Sequence, residues 1–178
     1  MNNQPLSLRG MIYAALFGAV TAAGAYLIIP FPLVPITLQT LFLNLAAALL
    51  GGRLGALSQV IYILLGIIGL PVFAGGKAGI GVLIGPTGGY LIGFVVAAYV
   101  IGKLITMKER PGFVWMACSM VVGLVVIYFL GVIQLSLIAK LTVRKAVSVG
   151  VLPFLIGDGL KIIVATLIAL KIRDKVKI

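Results

Sequence analysis

Histidine is absent from the 178 residues, cysteine occurs once and acidic residues only three times. Without histidine, the commonest metal ligand and the commonest general base are both missing. The single cysteine, Cys118, excludes an internal disulfide and a thiolate metal cage, and its place within an apolar run marks it as a plain buried thiol. Glu109 and Asp174 sit in charged flanks, so Asp158 is the only carboxylate inside an apolar stretch and has no partner for paired-carboxylate or metal chemistry. No Gly-x-Ser-x-Gly elbow occurs, and Gly76-Lys77 continues into Ala78, which is not a phosphate-binding loop. The catalytic inventory is nearly empty and calls for no cofactor. Any energy from ATP must come from another polypeptide.

Apolar surface is what the chain has in excess. It is 62% hydrophobic and 10% charged, with a mean hydropathy of +1.29, values that make the bilayer its solvent. A spanning helix needs about 20 apolar residues, which leaves room for five or six spans and no separate soluble domain. The formal charge of +11 is spread in ones and twos between apolar runs. That pattern reports membrane topology and not a nucleic-acid surface.

The apolar runs predict six spans in one domain covering 1–178, an all-α membrane fold. The first, Leu8 to Ile29, lacks the compact charged head of a cleaved signal and is taken as span one. Pro30, Pro32 and Pro35 then make a stiff, uncharged loop. Spans two and three, 36–50 and 54–68, are short and flank a glycine turn at Gly51-Gly52. Residues 69–89 are too glycine-rich for continuous helix, and such backbone at membrane depth has to be buried in protein or line a cavity. Spans four, five and six cover 90–105, 114–138 and 153–171, and residues 139–152 form a basic fifth loop. No internal repeat is convincing.

With six spans, both termini share a side with the second and fourth loops. That side carries Arg9, Arg53, Lys103, Lys108, Arg110, Lys171, Arg173, Lys175 and Lys177, and the other carries Lys77, Lys140, Arg144 and Lys145. Nine cations against four place both termini in the cytoplasm. The proline, glycine-rich and basic loops then face outward.

Asp158 and Lys161, in Gly157-Asp-Gly-Leu-Lys161, fall on one helical face near the outer end of span six. A charge at this depth costs roughly 2.5–3.5 kcal/mol on the insertion scale, so it is usually paired, inward-facing and functional. The alternative is a self-neutralising ion pair. Thr37, Thr40 and Asn44 recur along one face of span two with Gln39 beside them, as a polar wall or as interhelical hydrogen bonds. Ser58, Gln59 and Tyr62 on span three read the same way. Ala15, Ala19 and Ala23, and beside them Ala14, Gly18 and Ala22, form small-residue stripes on span one. They serve either internal packing or a partner helix, and the spacing alone does not separate the two.

Four segments together resemble a family: Pro-Ile-Thr-Leu-Gln-Thr at 35–40, Gly-Leu-Pro-Val-Phe-Ala at 69–74, Gly-Pro-Thr-Gly-Gly-Tyr-Leu-Ile-Gly-Phe at 85–94 and Gly-Val-Leu-Pro-Phe-Leu-Ile-Gly-Asp-Gly-Leu-Lys at 150–161. Over nearly its whole length the chain resembles BioY, the biotin-binding S component of energy-coupling factor transporters. The resemblance implies a six-helix S-component fold in a prokaryotic plasma membrane and biotin capture at the outer face. It also implies a transmembrane coupling subunit and two ABC-type ATPases as partners, with Ala15 and Ala19 on the docking stripe. The loop Gly75-Gly76-Lys77-Ala78-Gly79 departs from the glycine pairs of the family. A ureido ring, an apolar thioether ring and a carboxylate suit an apolar pocket with few polar groups. The expected ligand contacts are Asp158, Lys161, Tyr90, Gln39, Thr37, Asn44, Phe73, Gly75 and Lys77. An S component for a different vitamin, an intramembrane lipid-modifying enzyme and a membrane scaffold are the rival readings.

Overall fold

The computed structural model describes residues 7–31 and 33–176; Pro32 of the proline loop and Lys177 of the charge count lie outside them. Helix α1 spans Leu8–Tyr26 and starts at Ser7, whose hydroxyl accepts from the Gly10 amide at 3.0 Å. It stops three residues short of the expected Ile29. Residues Ile28–Ile29 (β1) instead pair antiparallel with Ile36–Thr37 (β2). The proline at 30 disfavours helical geometry at residue 29, which turns the end of the run into extended chain.

Helix α2, Gln39–Ile67, is one run of helical residues broken at Gly51, where φ is 77° and ψ is −179°. Gln39 Nε2 donates to Tyr62 Oη at 2.6 Å, although 23 residues would separate them by about 35 Å in a straight helix. The run is therefore a hairpin of two arms, 39–50 and 52–67, and the chain makes the six passes read from the sequence. A positive φ of this kind is open to glycine at little cost. The turn packs so closely on helix α4 (Gly88–Thr106) that a Cβ on Gly102 would lie 2.3 Å from the Gly52 amide nitrogen. At about 1.5 Å per residue the first arm is about 18 Å long, well short of the roughly 30 Å hydrocarbon layer. The space above it is where a cavity opens.

Between α2 and α4 lie a tight hairpin at 73–77 and the short helix α3, Ile80–Ile84. Helix α5 spans Phe113–Ile138 and α7 spans Leu155–Ile172. Where a plain loop was expected, α6 covers Val143–Gly150, capped by Thr142 and followed by a 3₁₀ turn at Leu152–Phe154. Helix α1 packs on the second arm of α2 through Ala14, Gly18 and Ala22, where a Gly18 Cβ would come within 2.9 Å of the Ser58 carbonyl oxygen. Helix α4 meets α5 through Gly89 and Gly93, each against main-chain atoms of 127–130. Both contacts are the close backbone approaches that small residues permit in membrane helices. Helix α5 presents Val114, Val125, Phe129 and Leu137 outward, an apolar face that only lipid or another apolar surface covers without cost. Cys118 lies on that exposed side. The expected buried thiol is thus corrected, because an apolar membrane helix is not thereby a buried one.

Candidate functional site

The end of the bundle that carries the proline loop, the 73–77 hairpin, α3 and α6 holds a cavity of about 720 Å³, its open mouth included. Val34, Phe73, Leu91, Phe94, Ile127 and Phe154 supply apolar wall. Polar groups enter from few points.

Asp158 lies in the first turn of α7, where the partial positive charge of a helix N-terminus favours a carboxylate. It is only 4% exposed, and each of its carboxylate oxygens accepts at least one hydrogen bond. Its Oδ1 accepts from Lys161 Nζ at 2.8 Å and Thr40 Oγ1 at 2.9 Å, and its Oδ2 accepts from Tyr128 Oη at 2.6 Å. One carboxylate thus joins α7 to the first arm of α2 and to α5. Lys161 also donates to Thr40 Oγ1 at 3.3 Å, leaving one of its three N–H groups for a ligand. Charged hydrogen bonds of this kind are roughly twice as strong as neutral ones.

Around this cluster, Thr37 Oγ1 donates to Gln39 Oε1 at 2.7 Å, which aims the Gln39 amide at Tyr62. Tyr62 stands edge-on to Phe73 with ring centroids 5.7 Å apart. Phe73 is held by the hairpin it opens: its amide donates to the Lys77 carbonyl at 3.0 Å, and Gly75 and Gly76 adopt φ of 74° and 72°. Tyr26 Oη donates to the Pro71 carbonyl and ties the same loop to α1. Tyr90 shows its ring to the cavity while its hydroxyl donates to the Gly150 carbonyl at 2.9 Å.

Of the residues singled out from the sequence, Thr37, Gln39, Phe73, Lys77, Tyr90, Asp158 and Lys161 line this one cavity. Asn44 and Gly75 do not. Asn44 is buried in the first arm of α2, and Gly75 is exposed at the tip of the hairpin. Thr40 belongs to the cluster as part of the polar face of that arm. Tyr128 is the residue that sequence reasoning misses: it lies 30 positions from Asp158 in a long apolar run, and its phenol is the only hint it carries. Ser58 and Gln59, read from the sequence together with Tyr62, face α1 and not the cavity, where Gln59 Nε2 donates to Thr21 Oγ1 at 3.3 Å and Ser58 Oγ at 3.0 Å.

A family model described as the BioY family matches residues 1–178. The chain is 48% identical over 166 residues to a protein named biotin transporter BioY from Thermotoga maritima, covering 93% of this chain and 96% of that one. It is 41% identical over 159 residues to a probable biotin transporter BioY from Pyrococcus horikoshii, covering 89% and 93%. Its fold is similar to a crystal structure of the S-component for biotin from an ECF-type ABC transporter, with a TM-score of 0.85, 29% identity, and coverage of 98% of this chain and 94% of that one.

Proposed function

The chain belongs to the BioY family, and from that premise we propose that it is a multi-pass membrane S component that captures biotin for uptake. The carrying observation is the cavity itself, an apolar chamber lined by the Asp158–Lys161 pair that Thr40 and Tyr128 hold. Oδ2 of Asp158 has a lone pair to spare for a ureido N–H, and Lys161 has a donor to spare for a carbonyl or carboxylate oxygen. Thr37, Gln39, Phe73, Tyr90 and Lys77 complete the proposed binding wall. The protein performs no chemistry on its ligand, which enters and leaves unchanged.

Transport requires a partner that supplies energy. In this reading a transmembrane coupling subunit and two ABC-type ATPases provide it, and Ala15 and Ala19 form the docking stripe. What supports that assignment is the division of α1, whose Ala14, Gly18 and Ala22 are buried against α2 while Ala15, Ala19 and Ala23 face outward. The cation count supports cytoplasmic termini and an outward-facing pocket mouth.

A thermal-shift titration of the detergent-purified protein with a vitamin panel tests the ligand. A ligand that binds only the folded form at 100 times its Kd adds about 2.7 kcal/mol, so biotin is expected to raise the midpoint clearly. Stabilisation by thiamine or riboflavin, with none by biotin, transfers the protein to another vitamin. No response to any of them sinks the capture reading.

A further inference from the structure

Helix α6 is chemically unlike the rest of the protein. It begins with Val143-Arg144-Lys145, three residues after Lys140, and Lys140, Arg144 and Lys145 are all exposed. The turn that presents them is tied down: the Leu141 amide donates to the Ser136 carbonyl at 3.0 Å, Ser136 Oγ donates to the Leu141 carbonyl at 2.7 Å, and Thr142 caps the helix. Ala146 and Gly150 face the fold, and Tyr90 holds Gly150 from below. Arg144, Lys145 and Ser148 share the opposite face at helical spacing. Below and beside them, Leu137, Ile138, Val143, Leu152 and Ile156 are all exposed, Ile156 at 81%.

Three cations beside exposed apolar side chains, on a short helix and the turn before it between two membrane passes, are the profile of an element lying at the membrane–water boundary. Its charges are unbalanced. Among the described residues Asp158 is paired with Lys161, and Glu109 lies in the loop between α4 and α5 at the other end of the bundle. Lys140, Arg144 and Lys145 therefore have no carboxylate partner among the described residues, while an Arg fork and two ammonium groups match phosphodiester oxygens well. We propose that α6 and the preceding turn form a binding surface for anionic phospholipid, with Arg144, Lys145 and Lys140 on the headgroup phosphate and Val143, Leu152 and Ile156 against the acyl chains. A lipid seated there bridges the ends of α5 and α7, and so braces the helix pair that carries Tyr128 and Asp158.

Native mass spectrometry of the protein from mixed micelles containing phosphatidylglycerol and phosphatidylcholine tests this without any vitamin present. The wild-type chain is expected to retain phosphatidylglycerol preferentially. The triple variant Lys140→Gln, Arg144→Gln, Lys145→Gln should lose that preference by roughly 100-fold, since a cation at an anionic surface contributes about 1 kcal/mol; a loss below about threefold overturns the proposal. The charge-keeping pair Arg144→Lys with Lys145→Arg should retain most of it, so collapse of the preference in that pair also counts against a charge-based site. Neutralising Lys171, Arg173 and Lys175 at the opposite end is the second control, and an equal loss there reduces the effect to bulk charge and overturns the site. Should the triple variant keep its lipid but capture biotin more slowly at low salt, these cations steer an anionic solute and the lipid assignment is wrong.

Discussion

Two of the buried polar clusters among the described residues differ in one decisive respect. Asp158, Lys161, Thr40 and Tyr128 join three elements and border a cavity. Thr21, Ser58 and Gln59 are all fully buried between α1 and the second arm of α2. Gln59 Oε1 is left without a hydrogen-bond partner, whereas the more costly ionised group, Asp158, has three. Depth alone would have ranked Gln59 first. The contrast teaches that a polar group in a membrane protein is read by what adjoins it: the charged cluster that opens on a cavity is the one proposed to meet a ligand, and the sealed one packs two helices.

Removing one partner of a buried ion pair costs about 3–5 kcal/mol. Asp158→Ala, which strands the Lys161 ammonium, is expected to lower stability by about 3 kcal/mol in a detergent unfolding titration and to abolish biotin binding; a stable, binding-competent variant would erase the distinction between the clusters. Tyr128→Phe removes one charge-assisted donor and should weaken biotin binding by about 2 kcal/mol by calorimetry while the fold survives. Equal affinity would show that Asp158 needs no orientation from α5. Thr40→Val takes away a second donor of lesser strength, and about 1 kcal/mol of affinity should go with it. Gln59→Met sharpens the comparison from the other side: stability should move by about 1 kcal/mol or less, since two hydrogen bonds and an unpaired carbonyl disappear together, with biotin affinity unchanged. A large loss of affinity there would make the sealed cluster part of the site.

The six passes were legible as apolar runs separated by proline, glycine and charge, and the helix reversal was marked by Gly51-Gly52. The pairing of Asp158 with Lys161 was legible for the same kind of reason, since residues three apart share a face. Tyr128 was not, because nothing local distinguishes a phenol that reaches another helix from one that meets lipid. The two stripes of α1 were visible as spacing, yet which of them turned inward depended on where α2 lay. The helical nature of 143–150 was hidden by its brevity and by the basic residues that made it look like an ordinary loop.

Composition and order along the chain determined the solvent, the number of passes, the breaks at proline and glycine, and the Asp158–Lys161 ion pair. These are local consequences: each follows from a run length, a φ preference or a spacing. The tertiary structure alone decided that Thr40 and Tyr128 meet on Asp158, that Asn44 and Gly75 stay out of the cavity, and that Ala15 and Ala19 face outward. Those outcomes depend on how helices far apart in sequence rotate against one another, and that rotation is set by the whole packed bundle.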